Sequence, residues 1–332
     1  MTNGVKSDIK KINEKTVDSY ADFSGLIKHA ARCRLWLPEA KTLTKEKNRP
    51  LRYFTLPGKW AYDIFFLERE GIIAKDTRGF PDVRFCDNNS KSYSDAKQLL
   101  GNTIGKKENF EKLVLEDQRE FWDGFPYDIY NLDFCGTCLP DNQPPFSETF
   151  QAIEKIINQH ADRNHYPFII FLTMKALDGE TNPQAKTQLI QNIETNRADT
   201  NFTQELNVLI PNTQTFVSQN FVDFIIISVP KIICHLAQNY CDIEIKARAK
   251  YARQNQEAGD YYITKFVFKF TRKRQRALTV RNDNYINNVL QIIRLDNTIT
   301  IGPTSITPEI RKSNEELVSY TEGLRQNLGG NQ

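Results

Sequence analysis

The feature that most constrains this chain is an alternation of short apolar runs with helical patterns between residues 51 and 174. The runs 51–56 (LRYFTL), 82–87 (DVRFCD), 111–117 (EKLVLED), 127–134 (YDIYNLDF) and 167–174 (PFIIFLTM) read as strands. Between them, residues 59–70 and 92–100 carry helical spacing, as does 147–161, where Phe150, Ile153, Ile156 and Ile157 share a face and Ser147 is the candidate cap. Short strands joined by helices require crossovers, which build a mostly parallel sheet covered on both faces. The expected class is therefore α/β and Rossmann-like. In such sheets ligands bind outside the carboxyl ends of the strands. Asp87, Asp117 and Asp133 each end one of these runs, so they are expected to converge on one crevice.

The flanks differ. Residues 1–18 are charged and aperiodic and read as a loose arm; a helix is expected over 19–37, then a polar linker ending at Pro50. Residues 175–202 read as a polar region, and 213–240 as mostly helical with a kink at Pro230. Residues 241–252 and 261–274 alternate with period two and read as a long antiparallel pair, the second strand placing Phe266, Phe268 and Phe270 on one face. The tail adds short strand or helix signals and a charged closing helix. The organisation expected is an N-terminal arm and helix over 1–49, an α/β domain over 50–274 and a C-terminal appendage over 275–332.

Charge is distributed unevenly. Residues 243–276 hold ten Lys/Arg and three Asp/Glu, while the whole chain carries only +3. Lys246, Arg248, Lys250, Lys265, Lys269, Arg272, Lys273 and Arg274 therefore read as a phosphate-tracking surface for RNA or DNA, with Tyr251, Tyr261 and Tyr262 near enough to stack on bases. The bland alternative is a solvated sheet face. The first residues lack the apolar core of a secretory signal and the apolar run near 221–237 is interrupted by charge and proline, so a cytosolic protein without a membrane span is expected.

Cys135 and Cys138 form a C-x-x-C at the end of the fourth run. A dithiol or half a zinc site is one reading, but no second pair follows, so buried thiols are preferred and no metal site is assigned. No phosphate-binding lysine loop, H-E-x-x-H or G-x-S-x-G is present.

Four parallel strands ending in acids, a fifth strand and a late antiparallel pair resemble the class I S-adenosylmethionine-dependent methyltransferase fold, over roughly residues 50–271. That resemblance implies a cofactor turn at Pro57-Gly58, a ribose-binding acid at Asp87, an adenine contact at Asp117, and Asp133 with Phe134 at the target amine. It implies S-adenosylmethionine as cofactor and a nucleic-acid base amine as acceptor. The turn TLPGKWAYD keeps one glycine where the family uses a glycine-rich loop. A non-catalytic relative, serving nucleic-acid binding or assembly with a protein partner, is the alternative.

Overall fold

The computed structural model describes residues 25–75, 77, 79, 81–101, 103–134, 136–137, 147–251, 262–273 and 283–329. Eight strands form one sheet in the order β3-β2-β1-β4-β5-β7-β6-β8. They are β1 Tyr53–Thr55, β2 Val83–Cys86, β3 Ile104–Lys106, β4 Ile129–Asp133, β5 Phe168–Lys175, β6 Cys241–Tyr251, β7 Ile263–Arg272 and β8 Thr298–Ile301. Strands β3, β2, β1, β4 and β5 pair in parallel, and β7 runs antiparallel to both β5 and β6. The terminal β8 pairs in parallel with β6, so the C-terminal segment extends the same sheet.

Helices cover both faces, which is why the central strands are apolar on both sides. On one face α1 (Leu26–Ala31), a π-helical segment (Arg32–Trp36) and α2 (Leu37–Lys47) join α3 (Tyr62–Arg69), α4 (Ser90–Leu100) and, at the end of the chain, α13 (Pro308–Gly329). Their core holds Trp36, Phe65, Phe85, Ile129, Ile169, Phe171 and Val267. The opposite face carries α5 (Phe110–Leu115), α6 (Arg119–Trp122), α7 (Glu148–Asp162), α8 (Pro183–Arg197), α9 (Thr203–Leu209), α10 (Thr213–Gln219), α11 (Phe221–Ala237) and α12 (Asp283–Ile293). They pack on Tyr130, Leu132, Phe168, Ile170, Phe266, Phe268 and Phe270.

Several sequence expectations change. Residues 38–47, expected as a linker, belong to helix α2, with Pro38 in its first turn, where a missing N–H costs nothing. Residues 111–117 are not a strand. Phe110, Leu113 and Val114 lie at i, i+3 and i+4, bury one helical stripe and make α5; the third strand is the shorter 104–106. The polar stretch after β5 contains α8, started by Asn182, whose side chain accepts from the backbone N–H groups of Gln184 and Ala185. Pro230 lies within an unbroken α11, and the sharp bend, 120°, falls between α10 and α11. Among the described residues no single helix is long and apolar enough to cross a membrane.

Candidate cofactor and acceptor site

A cavity of about 300 Å³ opens at the carboxyl ends of β1, β2 and β4, beside the loop that leaves β3. Leu56 and Gly58 contribute from the first loop, Cys86, Asp87 and Asn88 from the second, Glu108 to Glu111 from the third, and Asp133 and Phe134 from the fourth. This volume lies in the range of small-molecule sites.

The first loop is held from below. Asp63, in the first turn of α3, accepts hydrogen bonds on one carboxylate oxygen from Tyr53 Oη (2.7 Å), Thr55 Oγ1 (2.5 Å) and Asn131 Nδ2 (2.9 Å). That buried carboxylate ties α3 to β1 and β4 and so fixes the turn between them. Gly58 sits at φ +60°, a conformation that favours glycine, and faces the cavity; Pro57 is buried behind it and is not part of the wall. From the outside, Trp60 is clasped by Lys59, 4.7 Å from its ring centre, and by Arg325 of α13 at 3.7 Å.

Asp87 stands where the sequence places it, just past β2. Its Oδ1 accepts from the backbone N–H of Asn89 at 2.8 Å, and its Oδ2 makes no hydrogen bond among the described residues. Burial raises its carboxyl above the ordinary range. Asn89 caps α4, accepting from the N–H groups of Lys91 and Ser92. Asn88 donates to Asn109 Oδ1 at 2.7 Å, linking the second and third loops across the cavity mouth.

Asp117 does not join this crevice. It follows α5 at φ +54°, is largely exposed and pairs with Lys155 of α7 at 2.8 Å. The cause is the misread strand: since 110–115 is helix, the residues after the true β3 are Glu108, Asn109 and Phe110, and these line the cavity instead. The sequence signal for them was a three-residue strand, too short to show a period. Phe110 and Phe134 make an edge contact, with centroids 6.2 Å apart, and form the apolar wall.

Asp133 closes the cavity at β4. Its Oδ2 lies 2.7 Å from Lys28 Nζ of α1. Burial pushes its carboxyl upward, but the cations of Lys28, Lys265 and Arg32 outweigh that, and its pKa falls below the ordinary range. The sequence reading did not anticipate Lys28, because nothing in a linear pattern relates α1 to the mouth of β4.

Among the described residues, most of the cations expected to form a basic surface on the hairpin are buried or paired. A bulge between Ile245 and Ala247 shifts the register of β6 against β7 and reverses the faces beyond it. Arg248 is thereby completely buried, and its guanidinium donates to the carbonyls of Gln291 and Ile292 at 2.9 Å each and to that of Asp296, at the C-terminal end of α12. Lys250 pairs with Asp223, Lys269 with Glu46, and Lys246 with Glu244. Lys265 has no exposed surface and lies over the Trp36 ring at 3.9 Å; Tyr251 is also buried. Of the described members, Arg272 and Lys273 are exposed, and Lys273 donates to the Gln238 carbonyl. Arg274, Tyr261, Cys135 and Cys138 lie outside the described residues. Among the described residues no group of three metal-ligating side chains occurs.

The PP_RS20740-like family model matches residues 115–272, just under half of the chain. No curated protein sequence matches it. The Dnmt2 methyltransferase of S. pombe is similar in structure at 12% identity and a TM-score of 0.34, over 69% of this chain and 52% of that one, so this chain spans about half its length. The plantazolicin methyltransferase BamL, solved with a triazolic desmethylPZN analog and SAH, is similar at 9% identity and a TM-score of 0.38, over 82% and 92%. The class I methyltransferase-like, Rossmann-type fold of this chain rests on the strand order and on the antiparallel β7 within an otherwise parallel row.

Proposed function

We propose that the cavity binds S-adenosylmethionine and that the protein directs its methyl group to an amine nitrogen held at Asp133. The observation that carries this is Asp87: an acid at the carboxyl end of β2 with one oxygen locked by the Asn89 N–H and the other uncommitted beside the cavity. A ribose diol needs such an acceptor. Phe110, Leu56 and Phe134 offer the apolar wall that a purine and a thioether need, and Asn88, Glu108 and Asn109 supply polar groups at the mouth. When bound, the cofactor supplies an electrophilic methyl carbon. This chain's contribution is then mainly positioning. Asp133 orients the acceptor nitrogen through its carboxylate; with its pKa held low by neighbouring cations, it is a weak base and is not the proton acceptor.

Nucleic acid was the acceptor expected from the hairpin. With Arg248 and Lys265 buried and Lys246, Lys250 and Lys269 in ion pairs, that surface is a weaker guide, and the acceptor is inferred from Asp133 itself. A second reading, a non-catalytic module that retains the fold, is favoured by the turn with its single Gly58 and by the Lys28 ion pair on Asp133. Titration calorimetry with S-adenosylmethionine and S-adenosylhomocysteine separates the two. Micromolar binding that is lost in Asp87→Ala supports the cofactor reading. Absence of heat from the folded protein at millimolar ligand removes it and leaves the non-catalytic module.

A further inference from the structure

The place assigned to the acceptor nitrogen already holds an amine. Lys28 Nζ sits 2.7 Å from Asp133 Oδ2, and the two side chains are only 15% and 12% exposed. It is delivered by a well-anchored helix: Ile27, Ala30 and Ala31 are buried, and Trp36 stacks on Phe171 of β5 with centroids 4.8 Å apart and planes 7° apart.

The floor beneath it is built for a polar occupant. Asp133, Thr173 and Lys265 are register neighbours across β4, β5 and β7, on the face that α1 covers. Thr173 Oγ1 and Lys265 Nζ are both buried without a hydrogen-bond partner. A row of this kind inside an otherwise apolar sheet is costly to keep. A carboxylate set among cations, under the aliphatic face of a helix, suits a compact ammonium on a flexible stem. The exocyclic amine of a nucleobase can donate a hydrogen bond to such a carboxylate, but an alkylammonium also pairs with its charge.

We infer that the methyl acceptor is a primary alkylamine of the lysine type and that Lys28 is an acceptor the chain carries within itself. This rests on the methyl-transfer reading above. Lys28 first loses a proton from Nζ to solvent, since Asp133 is too weak a base to take it. Its lone pair then forms the N–CH3 bond as the S–CH3 bond breaks. The electron pair of that bond stays on sulfur as a neutral thioether, and the positive charge passes to the methylated nitrogen. Asp133 remains ionised throughout and holds the nitrogen in place.

The test uses the full chain with S-adenosylmethionine from about pH 7 to about pH 9, below the ordinary lysine range. Peptide mapping by mass spectrometry locates any methyl group, and calorimetry with S-adenosylhomocysteine is run on the wild type, Lys28→Ala and Asp133→Asn. The expected result is a methyl on Lys28 that increases with pH and disappears in Asp133→Asn. The affinity for S-adenosylhomocysteine should meanwhile stay within about threefold in Lys28→Ala. Intact S-adenosylhomocysteine binding with Lys28 unmodified at every pH overturns the inference while sparing the cofactor reading. Binding tightened about tenfold or more in Lys28→Ala also overturns it, because Lys28 would then stand where the ligand's own α-ammonium belongs. Absence of binding to any of the folded proteins overturns both readings together.

Discussion

The two ends of this sheet carry charge in opposite ways. At the carboxyl ends of β2, β3 and β4, acids end or follow the strands and open onto a cavity. Along β6 and β7, cations lie within the strands and are covered by helices. A charge at a strand end passes into a loop and stays at the edge of the sheet whatever packs on its faces. A charge inside a strand goes where the local register and the next helix send it. One bulge after Ile245 was enough to send Arg248 into the core.

The largest way to sharpen that contrast is titration. In the half around β4, burial holds His160 down at about 3; its Nδ1–H donates to the His165 carbonyl (2.7 Å) and its Nε2 accepts from Tyr130 Oη (2.8 Å). The folded state keeps it neutral, while the unfolded chain gains a proton below about 6.5. Stability should therefore fall as pH drops from about 6.5 towards 3, by on the order of 4 kcal/mol for this group alone. Urea unfolding at pH 7 and pH 4 should show that loss much reduced in His160→Gln, whose amide can keep both bonds. In the other half, burial lowers Lys231 to about 7 while its Nζ donates to Asn192. There the unfolded chain holds its proton up to about 10.4, so stability should rise with pH from about 7, and Lys231→Met should flatten that rise.

Arg248 gives the next largest effect. Replacing it with Met leaves the carbonyls of Gln291, Ile292 and Asp296 unpaired in a buried place and should cost about 3 kcal/mol in chemical denaturation. A solvated, ligand-facing arginine would cost less than about 0.5 kcal/mol. Asp87→Ala is the counterpart on the acid side. It should weaken S-adenosylhomocysteine binding about a hundredfold, near 2.7 kcal/mol, while the loss of its contact to the Asn89 N–H lowers stability by only about 1 kcal/mol. A variant that unfolds, or one that binds as before, would place Asp87 among structural caps.

Legibility follows the same division. The strand–helix alternation, the Ser147 cap and the positions of Asp87 and Asp133 were readable, because each depends on a local period or on a strand end. Asp117 was misplaced because β3 is three residues long and its neighbour, 111–117, hid a helical stripe that begins one residue earlier, at Phe110. The hairpin was misread because strict alternation assumes no bulge. Lys28 was invisible because its meaning depends on a contact between residues 105 positions apart in sequence, Lys28 and Asp133.

Lys265 gives the smallest effect and the finest test. It occupies a strand interior, yet it lies in register with Thr173 and, through it, with the strand-end acid Asp133. Burial drives its pKa well below the ordinary lysine value and its Nζ has no hydrogen-bond partner, so keeping it there is costly even with the Asp133 carboxylate favouring its charged form. Lys265→Met keeps the contact with the Trp36 ring, now as a sulfur–aromatic pair. Removing the cost of the buried amine should raise unfolding free energy by about 1 kcal/mol, while the Lys28–Asp133 pair persists. A loss of about 2 kcal/mol or more in urea denaturation would instead mean that Asp133 needs Lys265 charged beneath it. The division between strand-end acids and strand-interior cations would then fail at the one row where the two meet.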